Sequence, residues 1–316
     1  MTKRAMKFNQ PRVSIGMPVY NGEKYIEATI DSILSQTYTD FEFIISDNAS
    51  TDKTQEICLG FQARDPRVHY HRNSINLGAA PNYNHVFELS SSEYFKWADY
   101  DDLIAPEFLS KCIEVMDRDP EIVLCFPLSR IINENGEILN DWQYKSDTSS
   151  HEPQIRFRNL LEKPEMAYQI SGLMRSSAIR RTSLHGSYPS SDLVFLSELT
   201  LCGKFHELPE YIFFPRSHPD QSTKGSLTVE RNRVSFFNTA NEGKILLPKW
   251  MLLRGYLDAI RKSPLKTSSK LFCDRQMIRW IFKPDHFRAL GKDILLAIQK
   301  SIVRTLVRSK AKNQQA

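Results

Sequence analysis

The chain is poor in several features that would each have pointed to a different protein. Its 12 glycines in 316 residues form neither a Gly-x-Gly-x-x-Gly nor a Gly-Lys-Ser/Thr loop, so neither a dinucleotide fold nor a Walker-type phosphate cradle is indicated. The cysteines, Cys58, Cys112, Cys125, Cys202 and Cys273, are odd in number, far apart and mostly set in apolar surroundings. They read as reduced core thiols, which excludes a disulfide framework and a cysteine zinc site. No apolar run reaches the ~18 residues a membrane span needs. The stretch Met1 to Pro11 is basic and polar with no apolar centre, unlike a secretory signal, so the expected location is the cytoplasm. Repeats and low-complexity tracts are absent.

What remains is an ordinary globular composition, 41% hydrophobic and 25% charged, long enough for one large α/β domain with an appendage or for two domains. The formal charge of +5 hides an asymmetry. Val229 to Ala316 holds 19 Lys and Arg against 6 Asp and Glu, a net of +13, whereas Met1 to Thr228 holds 23 against 31, a net of −8. We therefore expect two regions, an α/β domain over 1–228 and a basic, helical, amphipathic region over 229–316.

The first region alternates. Arg12 to Tyr20 reads as a buried strand that turns at Asn21-Gly22, and Tyr25, Ile26, Ile30, Ile33 and Leu34 follow at helical spacing. Strand Phe41 to Ser46, a polar loop and a helix to Phe61 come next, then strand Val68 to His71, helix Pro81 to Leu89 and an aromatic strand from Tyr94. Strands alternating with helices predict a mainly parallel sheet covered on both faces. A helix from Pro106 to Met116, strand Ile122 to Phe126, a hairpin across Ile131 to Leu139 and a helix over Asp192 to Cys202 extend the pattern. Pro215 to Gly225 is rich in breakers and reads as a loop. Beyond Val229 helices take over, interrupted at Pro248, Pro264 and Pro284. The last, Phe287 to Arg308, carries Leu290, Ile294, Ile298, Ile302 and Leu306 at steps of four, with Arg288, Lys292, Lys300, Arg304 and Arg308 largely on its other side. Such a helix suits an anionic membrane surface, or it packs on the acidic body.

The chemistry gathers where strands feed helices, the edge at which open α/β sheets bind ligands. Tyr94 to Pro106 ends a strand in Asp99, Asp101 and Asp102. Carboxylates crowded there repel one another, and a divalent cation such as Mg²⁺ would relieve the repulsion by taking carboxylate and phosphate oxygens; alternatively Asp99 or Asp102 caps the next helix. Pro18, Tyr20 and Asn21 end the first strand, where a tyrosine can stack on a nucleobase or pack in the core. Asp47 ends the second, suited to accepting N–H donors of a base or to capping a helix, a task Ser50 or Thr51 could fill equally.

Together Pro18-Val19-Tyr20-Asn21-Gly22, Ser32 to Thr37, Phe41 to Asp52, Asn76-Leu77-Gly78 and Asp99-Tyr100-Asp101-Asp102 resemble the family 2 glycosyltransferases of the GT-A fold, densely from Arg12 to Leu109 and more thinly to His218. The resemblance implies inverting transfer of a sugar from a nucleoside-diphosphate sugar donor to an acceptor hydroxyl of a glycan or lipid-linked acceptor, in bacterial cell-surface polysaccharide or glycolipid synthesis, with no nucleic acid involved. It implies that Pro18, Tyr20, Asn21 and Asp47 hold the nucleoside, that Asp99 faces the ribose, and that Asp101 binds Mg²⁺ or Mn²⁺. It also implies a catalytic base at Asp192, with Glu198 as rival. Arg216 and Lys224 would close over the phosphates, and His218 would complete the metal shell or stand as a plain loop histidine. Asp102 is left as the helix cap. The basic residue that reads the base in some members has Arg72 as its closest counterpart.

Gln276-Met277-Ile278-Arg279-Trp280 matches a motif of processive polysaccharide synthases but is taken as coincidence, because it stands far from Asp192 in a chain without spans. The expected transferase is cytoplasmic, docked by residues 287–308 on the inner face of the membrane, and two other readings remain: a sugar-nucleotide nucleotidyltransferase and a non-catalytic nucleotide-sugar-binding protein.

Overall fold

The structure is a computed structural model that describes residues 10–144, 146–162, 167–219, 221 and 235–313, with side chains as far as residue 302. The expected boundary at 228/229 and Lys224 lie outside the described residues. The first half follows the alternation: β1 Val13–Val19, α1 Ile26–Leu34, β2 Phe41–Asp47, α2 Thr54–Arg64, β3 Val68–Arg72, α3 Ala79–Glu88 and β4 Tyr94–Trp97. There follow β5 Leu103–Ile104, α4 Phe108–Arg118, β6 Ile122–Ile132, β7 Ile138–Trp142, α5 Pro153–Glu162, β8 Leu173–Arg175, α6 Ser176–Ile179, α7 Ser191–Cys202 and β9 Lys204–Phe214. Three helices end the chain, α8 Pro248–Lys262, α9 Thr267–Phe282 and α10 Pro284–Asn313, broken near the three expected prolines.

The strands form one sheet in the order β3-β2-β1-β4-β8-β6-β9-β5, with β7 added to β6. β3, β2, β1 and β4 run parallel, and β8 is antiparallel to both β4 and β6. Alternation explains how the sheet is covered, since successive side chains leave opposite faces. Val13, Ile15, Met17 and Val19 enter one core with Phe41, Phe43, Ile45 and the inner faces of α1 and α4. Phe95 and Trp97 enter a second core with Val86, Phe87 and Phe195 on the other face. Gly16 lets Phe95 of β4 and Val86 of α3 fill that face, because a Cβ there would come within 2.6 Å of the Phe95 ring and 3.0 Å of Val86.

Two strands were not legible. β5 is only two residues long, and β9 pairs with β6 through several register shifts around Pro209. The helix expected from Pro106 begins at Phe108, and its N-cap Glu107 makes no side-chain cap bond, so Asp102 is not its cap.

A third core joins the C-terminal helices to the body. Leu252, Tyr256, Met277 and Trp280 pack with Phe157 of α5 and Val194 of α7. Gln276 and Trp280 are buried there, and Trp280 lies against Tyr256 and His286, which gives the Gln-x-x-Arg-Trp match a packing role.

The loop ahead of α3 depends on Gly78, whose φ of 89° is readily adopted only by glycine. A Cβ there would also meet the Asn238 backbone at 2.5 Å. Gly78→Ala should therefore destabilise the fold by about 1–3 kcal/mol, read as a lower urea midpoint with an unchanged slope; a parent-like midpoint would remove this contact from the account of the fold.

Candidate active site

At the carboxyl edge the loops after β1 and β2 are fastened to each other. Asn21 N–H donates to Ser50 Oγ at 2.9 Å, and Asn21 Oδ1 accepts from Thr51 N–H at 2.8 Å. Gly22 N–H donates to Thr54 Oγ1 at 2.8 Å, Glu23 N–H to Asp52 at 3.0 Å, and Lys53 N–H to Glu23 at 2.9 Å. Asn21 and Ala49 both take left-handed backbone, φ 53° and 61°. The clasp leaves Tyr20 43% exposed at the rim, open to a flat ligand and outside the core, while Pro18 is buried within β1. The Asn21 side chain serves the clasp.

Asp47 is fully buried and heavily engaged. Ser50 N–H donates to Oδ1 at 2.8 Å, while Tyr70 Oη and Arg72 donate to Oδ2 at 2.6 and 2.5 Å. Arg72, the sequence's nearest basic residue, is thus the partner that holds Asp47. Burial and Asp47 raise the Tyr70 phenol, which keeps it a donor. Asn48 ties on the next loop, donating to Asn76 Oδ1 and Gly78 O and accepting from Leu77 N–H. Four segments are therefore locked together around one pocket edge.

The three carboxylates after β4 have three different surroundings. Asp99 accepts from the Tyr83 hydroxyl of α3, and Trp97 Nε1 fixes Tyr83 by donating to its carbonyl at 3.0 Å. Asp102 Oδ1 accepts from Arg216 N–H at 2.8 Å. Asp101 meets His218, with Oδ2 2.8 Å from Nε2. Beneath them lies Lys96, 1% exposed, which donates to Ser171 O at 2.5 Å and Trp97 O at 3.0 Å. Burial pushes Lys96 down to about 8, against the pull of Asp99 and Asp102. Lys96 lines, with Asp99, Asp102, Thr29 and Ser32, a cavity of about 10 Å³, close to the size of a single water. Neither Tyr83 nor Lys96 was singled out from sequence. A lysine alternating with Tyr94, Phe95 and Trp97 in a buried strand was the available signal.

The residues after β9 come to the acids because pairing continues beyond the strand, with Ile132 N–H donating to Pro215 O and Ser217 N–H to Ile132 O. Arg216 turns inward. It is 4% exposed, donates to the carbonyls of Asp101, Asn133 and Glu134 at 2.9–3.0 Å, and lies over the Tyr25 ring at 4.9 Å. The guanidinium is spent on carbonyls and clamps the acidic loop, a task other than the expected one over the phosphates. His218 is likewise no ordinary surface histidine. It is buried, its ring sits 4.8 Å from that of Tyr25, and its Nδ1 has no hydrogen-bond partner among the described residues.

Asp192 stands in the first turn of α7, after Ser190 in left-handed backbone. Burial raises its carboxyl, opposed by the Leu193 N–H at 3.0 Å. Its charge is felt by Tyr188 and by Tyr256 of α8. Its rival Glu198 accepts from Ser183 N–H and Oγ at 2.7 and 2.8 Å, which makes it a staple of the loop before α7.

A divalent cation fits Asp101 and His218. A carboxylate oxygen and an imidazole nitrogen already face each other; the carboxylate suits Mg²⁺ or Mn²⁺, while the imidazole is a ligand of softer metals and so favours Mn²⁺ of the two. Among the described residues no group of three His, Cys, Asp or Glu could hold a metal by itself, so such an ion would complete its shell with water or phosphate oxygens.

Comparison with known proteins bears directly on this edge. The profile of glycosyl transferase family 2 matches residues 14–186, more than half of the chain, and the chain belongs to that family. It is similar to an uncharacterized glycosyltransferase of Methanocaldococcus jannaschii, 35% identical over 139 residues that cover 43% of this chain and 48% of the relative. A further one from Haemophilus influenzae is 28% identical over 226 residues, 68% of each chain. The chondroitin synthase of Escherichia coli is 32% identical over 131 residues, 42% of this chain and 19% of that protein. The chain thus spans about half the length of the first relative and about a fifth of the synthase.

Among solved structures, S. aureus TarS residues 1–349 with UDP-GlcNAc superimposes with a TM-score of 0.64 at 15% identity, covering 92% of this chain and 81% of that one. Mannosyltransferase PcManGT from Pyrobaculum calidifontis with GDP-Man and Mn²⁺ gives 0.56 at 16%, covering 98% and 82%. The fold is that of the GT-A transferases.

Asp99 carries a pH signature. Burial, then Asp101, pushes its carboxyl up to about 6, against Tyr83 and Lys96. The native state holds this proton more tightly than the unfolded chain does, so the contribution is favourable in acid and becomes a penalty as pH rises from about 4 to about 6. Asp99→Asn keeps an acceptor for Tyr83 and removes the charge. In chelator, the variant should be more stable than the parent by roughly 1–3 kcal/mol at about pH 8, with the gain vanishing near pH 4. Urea melts at both pH values decide, since an equal gain at the two would discard the charge as its cause.

Proposed function

We propose that the chain transfers a glycosyl group, with inversion, from a nucleoside-diphosphate sugar to a hydroxyl of a glycan or lipid-linked acceptor, in cell-surface polysaccharide or glycolipid synthesis at the cytoplasmic face of the membrane. The observation that carries this reading is the meeting of Asp101 and His218 beside a half-buried Asp99 at the carboxyl edge of the sheet. The donors bound by TarS and PcManGT, UDP-GlcNAc and GDP-Man, support the same donor class.

In this mechanism Tyr20 stacks on the base and Pro18 stiffens the strand end beneath it. Asp47, buried and held by Tyr70 and Arg72, fixes the loop that meets the nucleoside, and Asn21 keeps the two nucleoside loops closed. Asp99, aimed by Tyr83, lies on the ribose side. Asp101 and His218 would hold Mg²⁺ or Mn²⁺, which when bound supplies positive charge to the diphosphate. Asp192 accepts the proton of the acceptor hydroxyl as that oxygen bonds to the anomeric carbon. The bond from that carbon to the diphosphate oxygen breaks on the opposite face, and the nucleoside diphosphate departs with the electron pair. A carboxylate made more basic by burial, as Asp192 is, suits this task.

Asp192→Asn should lower transfer by about 10²–10⁴ while leaving donor affinity within about twofold of the parent. The assay pairs radiolabelled sugar transfer with isothermal titration of the donor, and parent-like transfer by the variant would remove Asp192 from the reaction. Asp101→Ala should abolish the dependence of donor binding on Mn²⁺, and a donor affinity that ignores both chelator and this substitution would remove the metal from the reading.

A further inference from the structure

The C-terminal helices leave a feature that sugar transfer does not use. Among the described residues fifteen large apolar side chains are exposed, and eight of them, Leu271, Ile278, Phe282, Phe287, Ile294, Leu295, Ile298 and Ile302, belong to α9 and α10. Their order is helical. Leu271, Ile278 and Phe282 recur at intervals of seven and four, so they form one stripe along α9, opposite Cys273, Met277 and Trp280, which face the third core. On α10, Phe287, Ile294, Ile298 and Ile302 recur at intervals of seven, four and four, with Leu295 beside them. The two stripes join at the elbow, where the rings of Phe282 and Phe287 stack at 6.3 Å and are 69% and 59% exposed.

The orientation of this ridge is set by the protein. Leu290 is the α10 residue in the third core, Trp250 Nε1 donates to its carbonyl at 3.1 Å, and Lys249 N–H donates to Asp293 at 2.7 Å. The exposed charges along the same stretch are Arg275, Arg279, Lys283, Arg288 and Lys292 against Asp285.

We propose that the α9–α10 elbow is the surface by which this chain sits on an anionic lipid bilayer. A continuous apolar ridge of this length is more than a water-facing surface ordinarily leaves uncovered, and the occupant must accept apolar side chains and a row of cations together. A bilayer of anionic lipid does both, taking the ridge into the acyl boundary while the lysines and arginines stay with the headgroups. A second copy of the chain, joined elbow to elbow, would set the same positive charge against itself. The proposal is independent of the transfer reaction and is tested without it.

The experiment is flotation of the full chain with vesicles of phosphatidylcholine, with and without phosphatidylglycerol. The chain should float with the anionic vesicles, weakly or not at all with the neutral ones, and release as salt rises from about 0.1 to about 0.5 M. Phe282→Ser with Phe287→Ser should cut the bound fraction by about tenfold or more, and Lys283→Glu with Arg288→Glu should do the same without touching an apolar side chain. Donor binding in solution should be unchanged in both, which keeps the outcome separate from the functional reading above. Failure to bind, equal binding to both vesicles, or indifference to both double substitutions would overturn the proposal. So would light scattering that shows a dimer broken by the same substitutions in place of vesicle binding.

Discussion

Three half-buried carboxylates stand at the end of β4 over one fully buried lysine. Charge in that position costs stability unless it is compensated, and the surrounding structure can be read as the compensation. Lys96 sits beneath Asp99 and Asp102 with its ammonium bonded to two carbonyls. Tyr83 reaches Asp99 from α3, the Arg216 N–H reaches Asp102, and His218 reaches Asp101. The partners come from β4, α3 and the segment beyond β9, so the acid cluster can form only after these are assembled. Burial first, and then the repulsion among the carboxylates, raises Asp99 and Asp102 above ordinary carboxylates.

The opposite side of the pocket edge uses neutral hydrogen bonds for the same end. The loops after β1 and β2 exchange backbone N–H groups for side-chain acceptors through Asn21, Ser50, Asp52, Glu23 and Thr54. Asn48 passes the constraint on to the loop before α3, whose tip in turn meets Asn238 at Gly78. A rim built this way presents Tyr20 without needing it for folding, which is how an exposed aromatic can be retained for a ligand.

How much of this the sequence announced follows from how local each signal was. The strands β1 to β4 and their helices were legible because periodicity is a local property, and the strand ends carried Tyr20, Asp47 and the acid cluster in plain view. β5 and β9 were not, because one is too short to have a period and the other is interrupted by Pro209 and register shifts. The same limit applies within the site. That Asp101 and His218 belong together was suggested by resemblance, but their contact spans 117 positions and no spacing rule contains it. Asp102 looked like a cap because a proline followed it, and only the intrusion of β5 separates it from the helix. Lys96 was overlooked because a single lysine in an apolar strand is ordinarily read as a surface position.

The inward turn of Arg216 alters the electrostatics expected of the site. A guanidinium over the diphosphate would have brought a permanent positive charge to the leaving group. Here that charge is bonded to the carbonyls of Asp101, Asn133 and Glu134 and stacked on Tyr25, and Lys96 points at carbonyls on the far side of the acids. Arg72 is bound to Asp47 and Ser50. Each of these three cations is therefore engaged in shaping the protein, and the negative charge of a diphosphate would enter beside carboxylates that already repel one another. On the proposed reading, a donor that brings positive charge with it would meet less repulsion there. Asp101 meets a histidine whose second nitrogen is buried without a partner among the described residues, so this is the point on the edge where the polar groups are least completely engaged.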